Sequence, residues 1–346
     1  MGNIRDYAIA TLGSHTALQI LKGANDEGFK SICVAVKGQE KLYEAYGVVD
    51  EIISIDSYPD FFSVEDELIK RNAILIPHGS FVSYIGWEKV KNIKVMHYGS
   101  KGILEYESDR NKERVWLKNS GLQVPQIFKT PEEIDRAVIV KFHGAKGGKG
   151  YFIANDPEEF HERITHYPEK EGYVIQEYIV GVPLYIHYFY SPLTKRLEIM
   201  SFDKRYESNA DSIGRISAKD QLDVDIATSY TIVGNIPLVV RESLLPVVYD
   251  MGKSVVKESL NLIDSKTKKP LEKGLYGPFC LESIVDNEMN FYVFEISARI
   301  VAGTNPFIHG SPYTWLRYNE PMSTGRRIAR DIRQAIEQDR LEDVLG

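Results

Sequence analysis

The sequence predicts an open parallel α/β sheet domain followed by α+β lobes. Two observations carry this fold class. The first hundred residues alternate short apolar runs with helical patterns, and the rest, to about residue 300, reads mainly as strand-like runs. A chain of 346 residues with 43% hydrophobic and 26% charged side chains has the length for two or three domains and an ordinary globular composition. No internal repeat or low-complexity linker marks a join. The pattern divides the chain into an α/β domain at 1–103, a helix with a small lobe at 104–183, and a large lobe at 184–346.

In order, residues 7–12 form a buried strand and Gly13-Ser14-His15 turns the chain. Ala17, Ile20, Leu21 and Ala24 then place an apolar stripe on a helix that stops near Gly28. Residues 31–36, 52–55 and 73–76 supply further strands. Open parallel sheets bind ligands beyond the carboxyl ends of their strands. This directs attention to Gly13-Ser14-His15, Pro77-His78-Gly79-Ser80 and His97-Tyr98-Gly99-Ser100. Residues 105–119 read as one amphipathic helix ending at Gly121. Strands at 137–142 and 151–154 flank a glycine-rich loop, Asp156 and Pro157 cap and open a helix, and 174–179 is strand-like. In 185–190, tyrosines and His187 alternate as core, with His187 a candidate for a pocket wall. Helices follow at 243–260 and 324–338.

A net charge of -7 and a pI near 5.7 exclude a general nucleic-acid surface, which needs clustered excess Lys and Arg. The only cysteines, Cys33 and Cys280, sit in apolar runs and read as buried free thiols, too few for a disulfide framework or a cysteine zinc site. The N-terminus lacks an apolar signal core and no run approaches a membrane span, which predicts a cytoplasmic enzyme without a membrane partner.

The sharpest local signal is Gly144-Ala145-Lys146-Gly147-Gly148-Lys149-Gly150. Glycines let the backbone approach an anion and the lysines supply charge. No Ser or Thr follows Lys149, so this is not a Walker A loop. A surface hairpin could share the composition, but Lys141 inside an apolar strand calls for an anionic partner, and a phosphate would serve. Glu282 and Glu295 form the second constellation. Apolar runs 279–285 and 291–296 flank a four-residue loop, which would pair 284 with 293 and 282 with 295. Facing carboxylates repel, and a Mg²⁺ or Mn²⁺ shared with a ligand's phosphates removes the repulsion. Arg299 reads by itself as a structural ion pair, and the resemblance given below implies that it faces a transferred phosphoryl group. Backbone N–H groups of 302–305 could meet an anion.

A strand with an inward Lys141, the glycine loop, Gln176-Glu177-Tyr178-Ile179 and Glu295-Ile296-Ser297-Ala298-Arg299 together resemble the ATP-grasp fold, here with a Rossmann-like N-terminal domain. The resemblance implies that Lys141 holds the α- and β-phosphates under the 144–150 loop, with its Lys146, Gly147, Gly148 and Lys149. It also implies that Gln176 and the backbone of Glu177, Tyr178 and Ile179 meet adenine. The family's first phosphate-facing lysine falls on Arg110, and Ser297 stands where the family has Asn. Ala10-Thr11-Leu12-Gly13-Ser14-His15, Pro77-His78-Gly79-Ser80-Phe81, Lys204-Arg205-Tyr206-Glu207-Ser208-Asn209, Gly234-Asn235-Ile236-Pro237 and Ser297-Ala298-Arg299 are similar, in order and nearly end to end, to the formate-dependent 5-formaminoimidazole-4-carboxamide ribonucleotide (FAICAR) synthetases. That resemblance implies a nucleotide site at His15, Ser80 and Asn235, an ATP contact at Glu207, a metal on Glu282 and Glu295, and a homo-oligomer.

The expected function is formylation of 5-aminoimidazole-4-carboxamide ribonucleotide (AICAR), with ATP turning formate into formyl phosphate, in purine (IMP) synthesis. Lys141 and Arg299 are the expected catalytic cations. No nucleophilic triad stands out, consistent with chemistry by alignment and water exclusion. The alternatives are an ATP-grasp paralogue joining another small carboxylate to an amine, or a non-catalytic nucleotide sensor. A dinucleotide-dependent dehydrogenase fits poorly, because the first turn lacks G-x-G-x-x-G.

Overall fold

The computed structural model describes residues 2–142, 150–167, 172–208, 210–223 and 231–346. Strands β1 (Ala8–Leu12), β2 (Lys30–Val36), β3 (Glu51–Ile55), β4 (Ala73–Leu75) and β5 (Met96–His97) form a parallel sheet in the order β3-β2-β1-β4-β5. The order reverses beside β1, so the ends of β1 and β4 open the crevice that such sheets use for ligands. Gly13-Ser14-His15 and Pro77-His78-Gly79-Ser80 lie at that crevice.

A second, antiparallel sheet contains β6 (Ile127–Phe128), β7 (Val138–Phe142), β8 (Tyr151–Ala154) and β9 (Tyr173–Glu177) in the order β6-β9-β7-β8. Val138, Val140, Phe142, Phe152 and Ile175 pack one face against Phe160 of helix Pro157–Ile164, so Ile139 and Lys141 fall on the other. Asp156 caps that helix through the Glu159 amide at 2.8 Å, with Pro157 in its first turn.

The largest sheet has β10 (Val182–Ser191), β11 (Arg196–Glu207), β12 (Ile232–Leu238), β13 (Gly277–Val285) and β14 (Phe291–Ser297) in the order β12-β11-β10-β13-β14, all antiparallel. Helix Leu245–Glu258 covers one face, with Val248, Met251 and Val255 packed among Tyr188, Phe202, Phe279 and Leu281. The opposite face is left for chemistry. Cys33 and Cys280 are buried free thiols.

The N-terminal sheet is fastened to the C-terminal region at several points. Helix Ala17–Asp26 crosses helix Thr324–Glu337 so closely that a Cβ on Gly23 would lie 2.3 Å from the Arg326 backbone nitrogen, and one on Gly325 would lie 2.2 Å from the Gln19 carbonyl. The buried Glu27 carboxylate pairs with Arg326, Arg330 and Arg333. An isolated parallel bridge joins His78 to Ile300. Among the described residues no helix is long and apolar enough to cross a membrane.

Two expectations need correction. Residues 105–119 are two helices, Lys101–Ser108 and Arg110–Asn119. Asp109 breaks the run because its carboxylate accepts from the amides of Asn111 and Lys112 and caps the second helix. On β13 and β14, residue 284 pairs with 292 rather than 293, and an irregularity between Glu282 and Ser283 returns Glu282 to face Glu295.

Candidate active site

Side chains alternate along strands, so the free face of the largest sheet collects every second residue of adjoining strands. Register sets Asn235 of β12 opposite Arg205 of β11, Tyr185 of β10 between Asp203 and Glu282, and Glu282 of β13 opposite Glu295 of β14. Asp203, Tyr185, Glu282 and Glu295 therefore form one row across the sheet, and Arg205 with Asn235 stands beside it, two residues further along β11. The Ser297 hydroxyl donates to Glu282 Oε1 at 3.2 Å. Burial, and then the charge of Glu295, push the Glu282 carboxyl up to about 8. Among the described residues no group of three His, Cys, Asp or Glu side chains is arranged to hold a metal ion. The glutamate pair would need phosphate oxygens to complete a cation's shell, as suits Mg²⁺ carried by a nucleotide.

The two helices after residue 100 buttress this edge. Glu113 Oε1 accepts the Ile296 amide at 2.5 Å. Glu107 accepts the Ala298 amide at 2.8 Å and grips Arg299 Nη2 at 2.6 Å. Burial raises both carboxyls, with Glu295's charge adding at Glu113 and Arg299 opposing at Glu107. Arg299 thus has the ion pair that its bland reading expected, yet it also reaches the crevice. A Cβ on Gly79 would lie 3.7 Å from Arg299 Nη1 and 3.9 Å from His15 Nδ1.

On the small sheet, Lys141 Nζ donates to Gln176 Oε1 at 3.2 Å. Burial, then the charge of Arg110, lower the Lys141 pKa, while Glu295 pulls the other way. Lys141, Arg110 and Glu295 are therefore close enough for their charges to interact. The Glu177 amide donates to the Gln126 carbonyl and the Tyr178 amide to that of Ala137, at 2.8 and 2.9 Å. The Glu177 carboxylate holds the Gln126 amide at 3.0 Å and Arg136 at 3.3 Å. Backbone recognition of a base by 177–179 would thus fall, for amides, to Ile179. Lys146, Gly147, Gly148 and Lys149 lie outside the described residues. Glu207 shares a strand face with Arg205, and burial followed by Asp211's charge raises its pKa.

At the crevice, His15 adopts φ 35° and its carbonyl accepts from Asn305 at 3.3 Å. Burial, then Arg299 and Arg205, lower its pKa. His78 is fully buried 5.9 Å from the His15 ring, and its Nδ1 accepts the Ser80 amide at 3.2 Å. Burial, with smaller contributions from His15 and Arg299, lowers its pKa to about 3, so it is a neutral acceptor. Asn235 Nδ2 donates to Asp203 Oδ2 at 2.7 Å. Burial works against the Asp203 charge, but His187 at 2.6 Å and Arg205 hold its pKa below normal. An ionised carboxylate only accepts, which fixes the Asn235 amide with its Nδ2 turned to Asp203. Residues 302–305 form a tight turn packed on Asp203, where a Gly303 Cβ would lie 2.2 Å from Oδ1.

The structure gathers His15, Arg299, Glu282 and Asn235 around Arg205, and groups Lys141, Gln176 and Arg110 with Glu295. Sequence reading missed Asp203, Arg205, Glu107 and Glu113. The period-two series Asp203, Arg205, Glu207 was the available signal for the first two. The helical acids became recognisable only once their helices lay against β14.

Comparison with known proteins agrees along the whole chain. Residues 159–346 match the family model "Domain of unknown function (DUF1297)", and residues 9–128 match "Protein of unknown function (DUF1246)". A FAICAR synthetase of Pyrococcus abyssi is 53% identical over 344 residues, covering 98% of each chain. The chain belongs to the FAICAR synthetase family. The Methanocaldococcus jannaschii FAICAR synthetase is 44% identical over 356 residues, covering 99% of this chain and 96% of its own. A crystal structure of the IMP biosynthesis protein PurP from Thermococcus kodakaraensis superposes with a TM-score of 0.77 at 30% identity, covering 98% of this chain and all of that one. An ADP complex of N5-carboxyaminoimidazole ribonucleotide synthetase, at 13% identity and TM-score 0.65, shares the fold. The fold of this FAICAR synthetase family member is ATP-grasp.

Proposed function

We propose that this chain is an ATP- and formate-dependent ligase converting AICAR to FAICAR through formyl phosphate, in the cytoplasm and in the synthesis of IMP. The observation that carries the reading is 53% identity, over 98% of both chains, to a synthetase named for that product. A formate oxygen attacks the γ-phosphorus of ATP and ADP leaves. The 5-amino nitrogen of AICAR then attacks the formyl carbon, phosphate leaves, and the amine gives up one proton.

Lys141 and Arg110 would hold the phosphate chain, and Gln176, Ile179 and Glu207 the rest of ATP. Lys146, Gly147, Gly148 and Lys149 would cover the phosphates. Glu282 and Glu295 fit a Mg²⁺ or Mn²⁺ on the phosphates, which when bound would offset phosphoryl charge. Arg299, aimed by Glu107, would stabilise the transferring group. His15, Ser80 and Asn235 would seat AICAR at the crevice, with Asn235 Oδ1 receiving a substrate N–H. The chain would act as a homo-oligomer, a reading supported by the exposed Trp315 and Leu316, which are available to such an interface.

The test is ADP release with ATP and AICAR, with and without formate, alongside Lys141→Ala and Glu295→Ala. Formate-dependent release in the wild type, lost in both variants, is the expected result. Release that is indifferent to formate defeats the proposed reaction, and near-normal turnover in either variant defeats that residue's role.

A further inference from the structure

Arg205 is 6% exposed, and its buried Nε has no hydrogen-bond partner among the described residues. It lies face-on to the Tyr185 ring at 4.0 Å. Its nearest acids, Asp203 Oδ2 and Glu282 Oε1, are both 3.8 Å away, close enough to balance charge and too far to accept its protons. A planar cation with five donors, buried and held by stacking, is poised for a planar acceptor that brings two oxygens.

Position identifies the acceptor. Along the sheet face, Arg205 stands between Asn235, on the nucleotide side, and Glu282, on the phosphate side. A small acid activated by ATP and then attacked by an amine has to lie between those two. We propose that Arg205 is the carboxylate-binding residue of this site, taking the two oxygens of formate in its guanidinium fork between Asn235 and the glutamate pair. This inference rests on the ligase reading given above. The competing anion, the 5′-phosphate of AICAR, would draw on the same cation but should sit toward the His15 turn.

The experiment is steady-state kinetics of Arg205→Lys and Arg205→Gln, varying formate, AICAR and ATP in turn, with thermal midpoints recorded alongside. Lys keeps the charge and loses the fork, and Gln loses both. The expected result is a formate KM raised roughly tenfold or more in Arg205→Lys, and further in Arg205→Gln, as suits loss of charge-assisted hydrogen bonds. The KM values for ATP and AICAR should stay within about twofold. An unchanged formate KM in a folded variant overturns the inference, and so does a rise confined to the AICAR KM. Wild-type enzyme without formate-dependent ADP release would instead defeat the ligase reading, so the two failures are distinguishable. If Arg205→Gln does not fold, the Arg205→Lys comparison decides the matter alone.

Discussion

Replacing Glu282 with Gln should separate stability from catalysis. The folded chain holds the Glu282 proton far more tightly than a free glutamate at 4.5, because burial and then Glu295 oppose the charge. A pKa raised to about 8 means that the native state binds more protons than the unfolded chain between those values. Stability therefore falls as pH rises through that window, by at most about 5 kcal/mol once both states are ionised. Gln cannot ionise and keeps an oxygen for the Ser297 hydroxyl. In EDTA, Glu282→Gln should match the wild type near pH 4.5 and melt higher above pH 8, by on the order of 5–10 °C. ADP release should be lost in the same variant. Calorimetry from pH 4.5 to 9 with a coupled ADP assay reads both quantities. Parallel melting profiles for variant and wild type would refute the electrostatic argument.

Glu107→Gln keeps an acceptor for the Ala298 amide but gives up the charge that grips Arg299. A kcat loss of about 10- to 100-fold with little change in thermal midpoint is expected from the ADP assay. Asp203→Asn leaves a single acceptor oxygen where His187 and Asn235 now use two, so the Asn235 amide loses its fixed orientation and the AICAR KM should rise by about tenfold while the ATP KM holds. Gly23→Ala forces a Cβ against the Arg326 backbone, where neither helix can give way cheaply. It should cost about 1–3 kcal/mol, seen as a lower midpoint with unchanged KM values.

The N-terminal sheet was legible because each parallel strand is a short apolar run closed by a turn, and the structure places strands within a residue or two of those runs. The helix break at Asp109 was not, because residues 105–119 hold no Gly or Pro to mark a stop, and only a capping carboxylate interrupts the helix. Facing of Glu282 and Glu295 was reached through the wrong register, since a hairpin irregularity leaves no mark in an apolar alternation. Arg205 was hidden by its neighbours. It sits beside Lys204, which reaches Asp211 at the surface, and the sequence does not tell a buried cation from a solvated one; burial and stacking on Tyr185 separate the two. Glu107 and Glu113 act on β14 from helices more than 180 residues away in sequence, a relation no local pattern encodes.

The fastening of the first sheet to the last helix has a mechanical corollary. With Gly23 wedged against Gly325, Glu27 clasped by three arginines and His78 bridged to Ile300, the crevice and the glutamate row belong to one anvil. In the reaction proposed above, shielding of an acyl phosphate from water would fall to the opposite wall, the strand layer that carries Lys141.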